Sequence, residues 1–471
     1  MKKFTSDVVI GLEIHVELDT KTKLFCGCSK KGGEEPNSRT CEVCLGHPGS
    51  KPVLNKKAVE FALKLGLALN CDISNELIFS RKSYFYPDMS KNYQITQYEI
   101  PLGKGGNLKL KEGKEIGLIR IHMEEDPAAL VHPDGLKEGS YVLVDYNRSG
   151  NPLVEIVTEP DLTSPDEARD FMKQLITVLS YLEIFDENNG IIKADANVSV
   201  KESDYTRVEI KNITGFKEIE RALFYEVDRQ KEEIKQSKKV EQETRAWDSE
   251  KGVTLSLRKK ETEEDYGYII DPDLTVTEIT DELIDKIKKE MPELAQDKVK
   301  KFIEKHKIKK EYAEILAAHK QLAEMFEDVA EHIDPVLAAK WIRGELVRVL
   351  NYAKKELHEV DINKKHMIDL LKLVESKKIT DNVAAKLLEK LIEKPFDVIE
   401  HVKKEGLEAV SDVSELEKYC KEAIKENPQA VEDYKKGEKK ALNFIVGSVM
   451  KKTQGKATPK EVNEIILRLI R

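Results

Sequence analysis

The amino-acid sequence predicts an α/β (α+β) N-terminal cradle with a mixed or antiparallel sheet, followed by an all-α helical domain and a helical tail domain. Three observations carry this expectation. Residues 7–18, 116–125, 151–162, 191–200, 207–213 and 253–260 run largely with a period of two, the pattern of strands that bury one face. Past about residue 280 that pattern stops, and Lys/Glu-rich segments with helical spacing take over. At 471 residues the chain has room for two or three domains. The divisions expected are 1–290 for the cradle, 291–405 for the helical domain and 406–471 for the tail, with Gly406 at the second break.

The totals exclude several classes. A net charge of −9 argues against non-specific coating of nucleic acid, although a local basic surface remains compatible with it. Nothing approaches the roughly 20 consecutive apolar residues of a membrane span. The start leads directly into the first strand, so no signal peptide and a cytoplasmic location are expected. Four of the six cysteines cluster, which in such a chain favours metal over disulfides.

Taken in order, residues 7–18 place Val8, Ile10, Leu12, Ile14, Val16 and Leu18 on one face. Glu13, His15 and Glu17 share the other, either as a solvated strand face or as donors to a divalent cation. Cys26 and Cys28, then Cys41 and Cys44, match the spacing of a closed four-thiolate zinc knuckle, with His47 near enough to replace one ligand. Residues 55–70 read as a helix. Ser80 to Tyr93 reads as a loop, with three tyrosines and three basic residues that suit a nucleotide or nucleic-acid path or a self-packed turn.

The strand at 116–125 puts Arg120, His122 and Glu124 on one face and Glu125 at its end. Glu155 and Glu159 share a face of the next, and Lys193, Asp195, Asn197 and Ser199 a face of the one after. Arg207, Glu209 and Lys211 follow, then Arg258. Helices at 165–183 and 217–236 are expected to cover the apolar side. Helices then fill the second half, ending at 413–426, 428–435, 441–452 and 459–469. Lys439, Lys440, Lys451, Lys452, Lys456 and Lys460 lie in a stretch without acidic residues, either an RNA-backbone surface or a solvated face.

No glycine-rich phosphate loop or dinucleotide fingerprint is present, so nucleotide chemistry would need metal-held phosphates on the sheet. The candidate metal ligands are Glu13, His15, Glu125, Glu155 and Asp195. The candidate phosphate partners are Arg81, Lys82, Lys193, Lys211 and Arg258. Together they suit metal-dependent phosphoryl transfer to a large substrate.

Long motifs carry a resemblance. Val9 to Leu18, Tyr84 to Asp88, His122 to Asp126, Asp145 to Asp161, Ala194 to Ser199, Gln242 to Arg245 and Asp265 to Tyr268 resemble the B-subunit family of the aspartyl/glutamyl-tRNA(Asn/Gln) amidotransferase. The resemblance spans the chain. It implies a cradle holding a kinase site, a helical domain and a tail that contacts tRNA. It also implies ATP-dependent phosphorylation of the amino acid on misacylated tRNA(Gln) or tRNA(Asn), then amide formation with ammonia that an A-type amidase subunit releases from glutamine. A small C-type subunit is the implied third member of the heterotrimer.

By position, the resemblance implies His15, Glu125 and Glu155 as magnesium ligands, with Glu13 acidic at the same site. Glu13, Glu125 and Lys82 are the expected catalytic residues, while Asp195, Lys193, Lys211 and Arg258 are expected as substrate or phosphate contacts from the polar faces of the strands rather than from the resemblance. Lys82, Tyr84 and Tyr86 lie where the ammonia route meets the site, and the four cysteines match the family's structural zinc. The alternatives are a non-catalytic tRNA-binding scaffold within the same complex and an unrelated metal-dependent ligase for a small acid.

Overall fold

The computed structural model describes residues 4–33, 35–131, 133, 141–186, 190–259, 266–409 and 413–470. The chain divides into two compact units, Met1–Leu294 and Ala295–Arg471.

The first unit is built on a ten-stranded sheet. Its strands are β1 (Val8–Glu17), β2 (Asp72–Ile73), β3 (Gly103–Lys104), β4 (Asn107–Lys109), β5 (Glu115–Glu125), β6 (Pro152–Thr158), β7 (Ile192–Val200), β8 (Val208–Thr214), β9 (Glu243–Asp248) and β10 (Val253–Lys259). Their order is β10-β9-β8-β7-β1-β6-β5-β3-β2, with β4 beside β5. Every pairing is antiparallel except β8 with β9, which is parallel and makes the sheet mixed. The first strand is therefore central, with β6 on one side and β7 on the other.

Alternation decides which side of β1 is dry. Ile10, Leu12, Ile14 and Val16 are at most 1% exposed, and each such side chain contributes roughly 2 kcal/mol of transfer free energy. They pack beneath α1 (Lys56–Ala68), α2 (Pro165–Leu182) and α3 (Phe216–Lys235) within one core. The start of α2 is written locally. The Ser164 hydroxyl accepts from Glu167 N at 3.2 Å, Pro165 occupies the first turn, and Asp166 and Glu167 face the positive end of the helix. Glu183 closes it in the left-handed region at φ 53°.

α3 is held by a buried ion network. Glu226, fully buried, accepts from Arg229 Nε at 2.8 Å and from Thr254 Oγ1 at 2.8 Å. Arg245 lies 3.5 Å from the same carboxylate and donates to Glu243 at 2.6 Å. Arg245, within the Gln242–Arg245 motif, thus fastens β9 and β10 to α3.

The segment expected as a loop from Ser80 begins as a strand. Ser80–Ser83, Tyr93–Thr96 and Gly267–Ile270 form a separate three-stranded sheet, so the turn is confined to the middle of the segment.

The second unit is helical from Ala295–Glu304 to Pro459–Ile470. A single turn of π-helix, Trp341–Leu346, stands between the helices Pro335–Lys340 and Val347–Ala353. Leu416, Cys420, Leu442, Ile445, Val449, Val462 and Ile466 form a buried cluster in its last four helices. Thr380 Oγ1 donates to Gly455 O at 2.5 Å, so the chain on either side of Gly406 is joined by a buried hydrogen bond.

Candidate active site and metal centre

The polar face of the sheet gathers its functional groups in rows. Register pairs Lys193 with His15, His15 with Glu155, and Glu155 with His122, across β7, β1, β6 and β5. Paired side chains project from the same face, so four ionisable groups stand abreast. His15 Nε2 is 3.4 Å from Glu155 Oε2 and 3.4 Å from Glu124 Oε1. His122 Nε2 is 3.3 Å from the same Glu155 oxygen and 4.0 Å from Glu124 Oε2. His15, Glu124 and Glu155 each offer a donor atom within 4.8 Å of the others, a geometry that fits one divalent ion.

The charges in this row depend on one another. Burial opposes ionisation of Glu155, but His122 and His15 outweigh it and hold the carboxyl well below its usual range. Burial also pulls the His15 imidazole down, while Glu155, Glu124 and Asp195 overcome this and raise its pKa to about 10.

Glu125 does not join the row. Period two sends it to the other side of β5 from Glu124. There its Oε1 meets the Lys91 ammonium and accepts from Ile95 N at 2.8 Å, with the carboxylate 3% exposed. Glu124 and His122, to which the resemblance gives no role, stand in the row instead. The signal lay in the alternation itself, which put Arg120, His122 and Glu124 on one face.

The remaining residues distribute as follows. Glu13 lies one row away, opposite Asp195, and accepts from Asn197 Nδ2 at 3.0 Å. Burial, with Glu155, Glu209 and Asp195 nearby, raises its pKa. Lys211 Nζ is 3.4 Å from Asp195 and 3.5 Å from Glu209, so it answers the acidic neighbours of Glu13. Glu17 is buried and structural, 3.0 Å from Lys30 Nζ. Lys82 belongs to the small sheet, with its ammonium 4.7 Å from the centre of the Tyr266 ring. Tyr84 meets the same ring edge-on at 5.9 Å. Burial, then the Asp88 and Glu124 charges, pushes the Tyr84 hydroxyl above its ordinary range. Tyr86 is exposed, beside the more exposed Phe85. Arg258 lies on β10, and its side chain is outside the described residues, as is Asp265.

Cys26, Cys28, Cys41 and Cys44 bring their sulfur atoms within 4.8 Å of one another. The Cys41 and Cys44 sulfurs are 3.9 Å apart, and Cys41 N donates to Cys44 Sγ at 3.2 Å. Tetrahedral zinc thiolates, with bonds of about 2.3 Å, place their sulfurs about 3.8 Å apart, so the donor set fits. The hydrogen bond with Cys26, then Cys41 N–H and Lys23, overcome burial and lower Cys44 to about 5. The four cysteines form a complete tetrahedral donor set by themselves, without His47.

Comparison with known proteins places these features in a class. Residues 8–285 match the family described as the GatB/GatE catalytic domain, and residues 324–470 match the one described as the GatB domain. The chain is 43% identical to the aspartyl/glutamyl-tRNA(Asn/Gln) amidotransferase B subunit of Carboxydothermus hydrogenoformans over 470 residues, 98% of each chain. It is likewise 43% identical to the B subunits of that name from Caldanaerobacter subterraneus subsp. tengcongensis and Thermodesulfovibrio yellowstonii, over 98% and 99% of each chain. The chain belongs to the B-subunit family of the aspartyl/glutamyl-tRNA amidotransferases, which makes it part of a ligase-class, glutamine-dependent amidotransferase. Among the described residues, no helix is long and apolar enough to cross a membrane.

Proposed function

We propose that this chain is the amide-forming member of a cytoplasmic heterotrimer with an A-type amidase subunit and a small C-type subunit. Its substrates are Glu-tRNA(Gln), Asp-tRNA(Asn) or both, with ATP and glutamine-derived ammonia. One observation carries the reading: His15, Glu124 and Glu155 converge on one small volume of the central sheet.

A divalent ion such as magnesium, held by those three residues, would neutralise the phosphate and the acceptor carboxylate, two anions that otherwise repel. The chain's own groups supply the rest. Glu13 and Asp195 extend the acidic face, and Lys193 and Lys211 flank it with positive charge suited to phosphate. His122 fixes the Glu155 carboxylate from the side opposite His15. The four cysteines would hold structural zinc, since four thiolates leave no position open for chemistry.

The test combines the three proteins of the complex with ATP, magnesium, free ammonia and each misacylated tRNA, and follows the esterified amino acid. Amide on at least one tRNA is expected. Failure on both, with free glutamate or aspartate converted instead, would favour a small-acid ligase.

A further inference from the structure

We propose that Lys23 is the positioning residue of the four-cysteine site: its buried ammonium balances thiolate charge and ties the site to the segment entering β6. This rests on reading Cys26, Cys28, Cys41 and Cys44 as a metal site.

Lys23 is 0% exposed, although an isolated ammonium costs several kcal/mol to bury. Its Nζ donates to Arg39 O at 2.8 Å and Tyr146 O at 3.2 Å, and lies 3.6 Å from Cys44 Sγ. The two carbonyls satisfy hydrogen bonds but cancel no charge. The Cys44 thiolate does. Four thiolates around a divalent cation carry two net negative charges, and one ammonium in contact halves that excess.

The two carbonyls also come from separate stretches of chain. Arg39 stands between the cysteine pairs, whereas Tyr146 precedes β6, which carries Glu155. The chain passes closely there: a Cβ on Gly150, at φ +86°, would lie 3.5 Å from Lys23 Cδ and 3.6 Å from Cys44 Cβ. Leu24 N donates to Gly150 O at 2.8 Å, which keeps the backbones together. Lys23 therefore sits where the cysteine site meets the approach to the catalytic strand.

The experiment uses the full-length chain, metal-stripped and titrated with cobalt against a competing chelator, with thiolate-to-cobalt absorption as the second readout. Wild type is expected to take one ion per chain. Lys23→Met should bind cobalt about 10–100-fold more weakly and shift the charge-transfer band. Lys23→Gln keeps a hydrogen-bond donor without the charge, and should weaken binding in the same direction; it also serves if the methionine chain does not fold. Unchanged affinity and spectrum in both variants would overturn the proposal alone. A wild-type chain that takes up no cobalt or zinc would overturn the metal-site reading and the proposal with it.

Discussion

At Glu125 a buried carboxylate faces the buried Lys91 ammonium, and removing one charge strands the other. Glu125→Gln is expected to cost about 3–5 kcal/mol of stability, read from the shift in denaturant midpoint, while manganese binding by the protein that remains folded changes little. Glu124→Gln should do the reverse, keeping the midpoint within about 1 kcal/mol and lowering manganese affinity at least tenfold. Equal effects of the two variants on the metal would refute the division. His122→Asn should weaken manganese binding about tenfold by releasing Glu155, with electron paramagnetic resonance counting free ion. This contrast was legible in the sequence. Alternation along residues 116–125 separates Glu124 from Glu125, whereas the resemblance carries the magnesium role to Glu125 by motif position alone. The partners that decide each role, Lys91 and Glu155, come from other strands and only the fold supplies them.

Elements were the most legible scale, because amphipathic period and caps are local. β1, β5, β7, α2 and α3 fall within a residue or two of the expected spans. β9 was not anticipated, since Glu243–Asp248 earns its place by parallel pairing with β8 and through the Arg245 network. The π turn at Trp341–Leu346 has no local marker either. Ion pairs between helices test the second unit. Glu327 of the helix Lys320–Ala330 meets Lys298 and lies 2.7 Å from Lys301, both on Ala295–Glu304. Burial raises its carboxyl, but Lys298 and Lys301 prevail and its pKa is lowered. A depressed folded pKa stabilises above the unfolded value of about 4.3 and loses that contribution as pH falls through the folded one. Glu327→Gln should therefore speed hydrogen exchange in residues 295–304 roughly fivefold at pH 7, about 1 kcal/mol, and by less at pH 3. An equal acceleration at both values would exclude the charge interaction.

Across the whole molecule, the proposed tRNA substrate sets an acidic chain against an anionic RNA. The lysines after Glu438, expected as an RNA-backbone surface or a solvated face, are not equivalent. Lys452 lies 2.7 Å from Glu426 and 3.3 Å from Glu422, whereas Lys439 and Lys440 are exposed. Replacing Lys439 and Lys440 with Glu should weaken tRNA binding several-fold and reduce its salt slope, while Lys452→Gln changes it little. Filter binding across salt concentrations separates these outcomes. The sheet cluster is the centre of the account, and ammonia-dependent amide formation by the reconstituted complex probes it most directly. With saturating tRNA and ATP, Glu124→Ala should slow conversion of the misacylated tRNA at least 100-fold and leave tRNA affinity intact. A Glu124→Ala complex that forms amide at the wild-type rate would contradict it.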